Sequence, residues 1–275
     1  MDLPVRRHLV FFLALTTLAA ACASDTSMNA VNVAEVASVE ASLQVVRDAL
    51  AAGDVARFME RWTDKALQEA FYEFGDAFRA NTGYYVGAKQ YRLGPELGAP
   101  TVVGSTATVV APLFFRLVGP VRQLSLVKID GLWTIDGARL TATDVADATP
   151  IGVTFGESSI ALDSSPAAQA NIVLQVRNPT SRRHELNILT APPEQDLAAF
   201  FEHPENGPPV PEGKSMPEGF DFLGGVVSIE PGANVTVLFS QPLPAARYVM
   251  FCNSADDPAG EPHSKAGEFL EFTIS

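Results

Sequence analysis

Cysteine is nearly absent from this 275-residue chain, with two in all, and histidine is scarce, with four. Only Cys252 lies in what reads as folded protein, and in an oxidising compartment an unpaired thiol there needs a reason. Positive charge is short as well: 19 Lys and Arg face 32 Asp and Glu, a net of −13. That balance argues against a nucleic-acid partner, which asks for a basic stripe. The deficit is uneven. From Pro150 onward 16 acidic residues face 6 basic ones, a net of −10, whereas residues 32–149 hold 14 against 11, a net of −3. The C-terminal half would attract cations or basic partners over about a Debye length, roughly 8–10 Å, although solubility alone accounts for most of that acidity. The apolar run at residues 9–18 is too short for a stable membrane span, which takes about 20 residues.

That short run has another use. Arg6, Arg7 and His8 precede it and the small residues Ala19-Ala20-Ala21-Cys22 follow, which is a secretory signal pattern. Its end resembles a bacterial lipobox, whose cysteine is lipidated and becomes the new N-terminus. The usual leucine three places before the cysteine is Ala19 here, with Leu18 beside it, and plain cleavage at Ala-x-Ala is the alternative. The lipobox implies an extracytoplasmic protein of the bacterial cell envelope, held to the membrane through lipidated Cys22. Residues 1–22 are then signal peptide and residues 23–32, polar and without structure signals, a tether. With Cys22 lipidated, Cys252 has no disulfide partner.

Residues 33–145 read as helices followed by strands. Val36, Val39, Leu43, Val46 and Leu50 fall at 3-4 spacing, predicting an amphipathic helix over 33–52. Gly53-Asp54 ends it and starts a second with Phe58, Trp62 and Leu67 as apolar positions, and a third is expected over 68–79. Strands are predicted over 84–93, 101–118, 121–129 and 132–140, with Asp130-Gly131 as a two-residue hairpin turn and Pro112 marking an edge or a break. Helices then antiparallel strands make an α+β domain. The segments A-A-G-D-V-A-R-F-M-E-R-W-T-D (51–64) and V-K-I-D-G-L-W-T-I-D-G (127–137) resemble the NTF2-like, or cystatin-like cone, superfamily. Such cones often hold a pocket, sometimes catalytic through an Asp/His pair. This segment has neither His nor Cys, Asp76, Asp130 and Asp136 suit helix surface or turns, and Trp62 and Trp133 suit a core. The domain therefore reads as a binding or spacing module and not as an enzyme.

Residues 150–275 read as a β-sandwich: short strands separated by turns, expected over 151–155, 159–162, 171–177, 184–189, 226–229, 235–239, 247–252 and 268–274. The insertion 190–225 carries one short helix over 196–203, with Leu197, Phe200 and Phe201 exposed or docked, and then a proline-rich loop. Alternation places His184 in line with Leu186 and Ile188, and Cys252 in line with Tyr248 and Met250. Glu268 lies in line with Leu270 and Phe272, where a carboxylate is costly unless it is paired or sits at the end of the sandwich. A lone thiol one loop away from a histidine, between strands, suits a copper–thiolate site.

Three segments here resemble the cupredoxin family: N-P-T-S-R-R-H-E-L-N-I-L (178–189), G-G-V-V-S-I-E-P-G (224–232), and R-Y-V-M-F-C with G-E-P-H-S-K-A-G-E-F-L-E-F-T-I (247–274). The resemblance implies a Greek-key sandwich that binds one copper ion through His184, Cys252 and His263. The family's axial methionine corresponds to Glu268, and a carboxylate there favours Cu(II) or zinc over Cu(I). Met216 and Met250 are alternative thioethers. It further implies outer-sphere electron transfer or copper holding, a redox or copper-donor protein as partner, and His263 as the ligand nearest solvent and so the route for electrons. The competing reading is a metal-free envelope adaptor that uses the cone pocket or the 190–225 insertion to hold a ligand or partner.

Overall fold

A computed structural model of the chain describes residues 15–72, 75–168, 170–203, 210–211, 216–257 and 259–275, with side chains from residue 33 onward. The basic part of the signal lies outside these residues, as does most of the proline-rich loop after 203, and nothing is described of the Cys22 side chain. The first helix, α1 (Leu15–Ala52), is longer than its amphipathic part and takes in residues 23–32, which the sequence suggested as a tether. No Gly or Pro interrupts 15–52, and Gly53, at φ 72°, is the first residue to stop it. No described helix is long and apolar enough to cross a membrane.

The expected second and third helices divide further. α2 (Val55–Met59) is capped by Asp54, whose carboxylate accepts from Arg57 N–H, and α3 (Asp64–Phe71) is capped by Thr63. Tyr72 turns into the left-handed region at φ 58° and ends α3, so α4 (Gly75–Ala80) is a separate short helix. The predicted strand over 84–93 begins as a π-helical turn, Gly83–Gly87, because Tyr85 packs its ring on Phe78 at 4.9 Å; only β1 (Tyr91–Leu93) pairs. The long strand over 101–118 breaks at Gly104 (φ 60°) into β2 (Thr101–Val103) and β3 (Thr106–Phe115). Pro112 does not break β3. Its carbonyl accepts from Gly94 N–H just past β1, so its missing donor faces the end of that three-residue strand. β4 (Val118–Ile129) and β5 (Leu132–Leu140) flank the turn at Asp130 (φ 49°) and Gly131 (φ 82°), as the Asp-Gly pair predicts. Trp62 and Trp133 are buried in the core between these helices and strands.

All eight sandwich strands form. They are β6 (Thr149–Gly156), β7 (Ser159–Leu162), β8 (Ile172–Arg177), β9 (His184–Thr190), β10 (Asp221–Ile229), β11 (Asn234–Phe239), β12 (Ala246–Phe251) and β13 (Phe269–Ile274). One sheet has the order β10-β9-β12-β13; the other runs β1-β3-β4-β11-β8-β6-β7, with β2 on β3 and β5 on β4. β6 and β8 are parallel neighbours and the other pairs antiparallel. The chain changes sheet after β8, β10 and β11, which fits a Greek-key β fold. Ile151, Val153, Leu174 and Val237 of the large sheet meet Leu186, Ile188, Tyr248 and Met250 of the small one in a common core. The alternate residues Leu189, Val249 and Phe251 face outward, where α5 (Leu197–Glu202) docks with Leu197 and Phe201.

The expected boundary at 145–150 falls between β5 and β6, yet one sheet runs through both halves. Val118, Gly119 and Pro120 of β4 pair with Phe239, Leu238 and Val237 of β11. The connecting segment is tied down as well, Thr143 exchanging two hydrogen bonds with the Thr236 hydroxyl. Gly224 (φ 124°) lets β10 pass this corner: a Cβ there would meet Phe115 O at 2.3 Å.

Candidate metal centre

His184 opens β9, Cys252 directly follows β12, and Glu268 directly precedes β13. The β12–β13 ladder continues one step past both strands through Cys252 N–H to Glu268 O (3.1 Å), which sets these two side chains opposite one another. His263 starts a 3-10 turn, His263–Ala266, that closes the loop after Cys252. That loop is held by backbone bonds from His263 N to Ser254 O and from Ser264 N to Cys252 O, both 2.8 Å. Strand alternation and one turn therefore deliver all four side chains to one end of the sandwich core.

One ligand atom from each of the four lies within 4.8 Å of the others, and all four residues are buried. Cys252 Sγ stands 3.5 Å from His263 Nδ1 and 3.9 Å from His184 Nδ1. Glu268 Oε1 is 2.6 Å from His184 Nδ1, and Oε2 is 3.5 Å from His263 Nδ1. The second of these is near without hydrogen-bond geometry, and Glu268 Oε2 has no hydrogen-bond partner. Burial of such an atom is costly.

Both imidazoles are held by their far nitrogens. Asn178 Nδ2 donates to Arg182 O and Ile229 O (2.8 Å each), which turns its Oδ1 toward the Thr180 hydroxyl at 2.8 Å. With the Thr180 proton engaged there, its oxygen accepts from His184 Nε2 at 2.8 Å. That bond assigns the His184 proton to Nε2 and leaves a lone pair on Nδ1. Two lone pairs 2.6 Å apart, on Nδ1 and Glu268 Oε1, repel unless a proton or a metal ion lies between them. His263 Nε2 is bonded to Asp256 Oδ1 at 3.1 Å, and Arg182 Nε reaches the same oxygen at 2.9 Å. The Arg182 guanidinium, with His263 adding to it, holds the Asp256 carboxyl below its usual range. Phe155 stacks on the His184 ring at 4.6 Å.

Burial pushes the Cys252 thiol up to about 12; the Glu185 amide N–H, 3.2 Å from Sγ, works against this and the Glu268 carboxylate reinforces it. Without a cation, then, the sulfur stays a thiol. The donor set fits a metal ion: around a tetrahedral centre, bonds of about 2.0–2.1 Å to nitrogen and about 2.3 Å to sulfur put these atoms roughly 3.5 Å apart. Two imidazoles, one thiolate and a further weak ligand are a copper pattern. The buried His, Cys, His, Glu cluster is consistent with one copper ion.

The structure thus brings together His184, Cys252, His263 and Glu268 as a single group. Met250 is fully buried in the sandwich core and Met216 packs near α5; neither belongs to the group. His263, at 4% exposed against 0% for the other three, is the ligand nearest solvent, as expected, and its Nε2 is engaged by the exposed Asp256 carboxylate. Asn178, Thr180, Arg182 and Asp256 escaped the sequence reading, although the first three lie inside the segment 178–189 quoted for the resemblance.

No family model matches the chain and no curated protein matches it. Among solved structures it is similar to dithionite-reduced auracyanin from Roseiflexus castenholzii, at 22% identity and TM-score 0.31, covering 47% of this chain and 99% of that one. Auracyanin A, a blue copper protein from Chloroflexus aurantiacus, is similar at 15% identity and TM-score 0.30, covering 46% and 99%. Rusticyanin from Thiobacillus ferrooxidans is similar at 13% identity and TM-score 0.29, covering 50% and 86%. With TM-scores this low, the metal assignment rests on the donor geometry alone.

Proposed function

We propose that this chain is an extracytoplasmic lipoprotein, anchored to the bacterial cell envelope through Cys22, whose sandwich holds one copper ion for electron transfer or copper holding. The observation that carries the copper reading is the convergence of four buried donors, with Glu268 Oε2 otherwise unpartnered. Bound copper would supply a one-electron Cu(II)/Cu(I) couple. Cys252 would give the thiolate, His184 and His263 their Nδ1 atoms, and Glu268 a carboxylate oxygen. Thr180 and Asp256 fix the imidazole orientations before any ion arrives, as outer partners of metal-bound histidines do. The Glu185 amide N–H withdraws charge from the sulfur and favours the reduced ion, whereas the Glu268 carboxylate favours Cu(II).

Electron carriage, not catalysis, suits a site whose four ligands are all buried, and the partner would be a redox or copper-donor protein of the envelope. The first half, with its NTF2-like motifs, serves as a spacing or binding module. The adaptor reading is weaker, because the short helix of the insertion is docked on the sandwich by Leu197 and Phe201. The test is Cu(II) titration of the mature protein. One equivalent should raise a visible thiolate-to-copper band, and Cys252→Ser should abolish it; a protein that takes up no stoichiometric copper would favour the adaptor. For the anchor, the cleaved protein should carry lipid on Cys22, and Cys22→Ala should release it from membranes.

A further inference from the structure

A cavity of about 590 Å³ opens on the outer face of the small sheet, beside the metal centre. Six rings line it, from widely separated parts of the chain: Tyr84, Phe115, Phe200, Phe201, Phe222 and Phe251. The volume suits one small molecule, and six rings in the lining favour a flat aromatic one.

The charges on its walls are engaged. Arg116 bonds the Phe222 carbonyl and lies 3.6 Å from Asp221, Lys265 Nζ bonds Glu261 at 2.6 Å, and the Glu185 carboxylate accepts from Asn187 Nδ2 at 3.2 Å. An anionic ligand would have to compete for those cations. By contrast, the side-chain amides of Gln90 and Asn253, also in the lining, make no hydrogen bond to another described residue, so neutral donors and acceptors remain on offer. Asn253 and Phe251 flank Cys252, and Glu185 donates its amide N–H to Cys252 Sγ at 3.2 Å. The cavity therefore reaches residues one hydrogen bond from the thiol, whereas the His263 edge is capped.

We propose that this cavity binds a neutral, flat aromatic molecule bearing oxygen substituents, of the phenol or quinone class, against the residues that flank Cys252. The pocket claim is independent of copper; only its bearing on the thiolate rests on the copper reading. The probe is 2-naphthol, titrated by calorimetry into the metal-free full chain, with naphthalene-2-sulfonate as the charged counterpart. Saturable one-to-one binding is expected, with the sulfonate at least about tenfold weaker. Gln90→Trp, which fills the cavity from one wall, and Phe200→Ala, which removes a ring from another, should each weaken 2-naphthol by about tenfold. No saturable binding, tighter binding of the sulfonate, or unaltered affinity in both wall variants with native circular dichroism would overturn the proposal. In copper-loaded protein, 2-naphthol should shift the thiolate-to-copper band, and an unmoved band at saturation refutes the placement beside the thiolate. Failure of the protein to bind copper at all counts against the copper reading alone, because the metal-free titration stands without it.

Discussion

The two cores of this protein end differently. In the first half, Phe58, Trp62, Phe71, Phe78 and Tyr85 pack ring on ring, with centroids 4.9–6.1 Å apart, and the atoms left without a hydrogen-bond partner there include the two buried tryptophan N–H groups and guanidinium nitrogens of Arg61 and Arg122. The sandwich core is as apolar through most of its length but finishes in His184, Cys252, His263 and Glu268, none more than 4% exposed. An indole N–H without a partner costs about 1–3 kcal/mol. A buried carboxylate oxygen costs more, and packing offers it nothing in return. Among the described residues only the sandwich core ends in a cluster of ligand atoms that could hold a metal ion.

That contrast can be broken in several ways. Trp133→Ala should cost about 3–5 kcal/mol in urea unfolding, while the folded variant still takes one copper; loss of copper uptake in the folded variant would join the two cores into one functional unit. In metal-free protein, the raised Cys252 value sets a pH dependence. The unfolded thiol ionises near 9 and the folded one near 12, so above pH 9 the unfolded state binds fewer protons and stability falls as pH rises. The Cys252 part of the loss should be on the order of 4 kcal/mol by pH 12, read as the difference in urea midpoints between wild type and Cys252→Ser, since burial also raises Tyr72 and Tyr248 and they lower stability over the same window in both. Removing the outer partners should weaken copper by about tenfold to a hundredfold. The larger loss is expected for Thr180→Val, at a buried site, and the smaller for Asp256→Ala, whose side chain is 65% exposed. Equal losses, read by competition with a chelator, would remove the asymmetry between the two histidines. Last, Glu268→Met should raise the copper potential by about 60 mV, a tenfold shift toward Cu(I) for one electron; an unchanged potential would take Glu268 out of the site.

The strands of the second half were legible because apolar alternation and turn residues agree there. Alternation also placed His184 and Cys252 on inward faces, and the register that sets Glu268 opposite Cys252 follows from the same pattern. The parts that were hidden depend on contacts distant in sequence. Tyr84 to Val86 has strand-like composition, yet Tyr85 is drawn into a ring cluster built from three helices, and tertiary packing overrides local propensity. Asp256 looks like any acidic loop residue until the fold of the loop sets it on His263 and beside Arg182, 74 positions earlier. The bond on His263 Nε2 could not be read from spacing, since it depends on where that carboxylate lands.

The hydrogen bonds between β4 and β11 set how the molecule can be divided. Cutting the chain at the apparent boundary would strip Val237, Leu238 and Phe239 of their partners and leave an apolar strand edge open to other copies. Gly224, shaped to pass Phe115, would then border empty space. The two halves share a seam, and a sandwich made alone would meet water with an adhesive margin where it now has a neighbour.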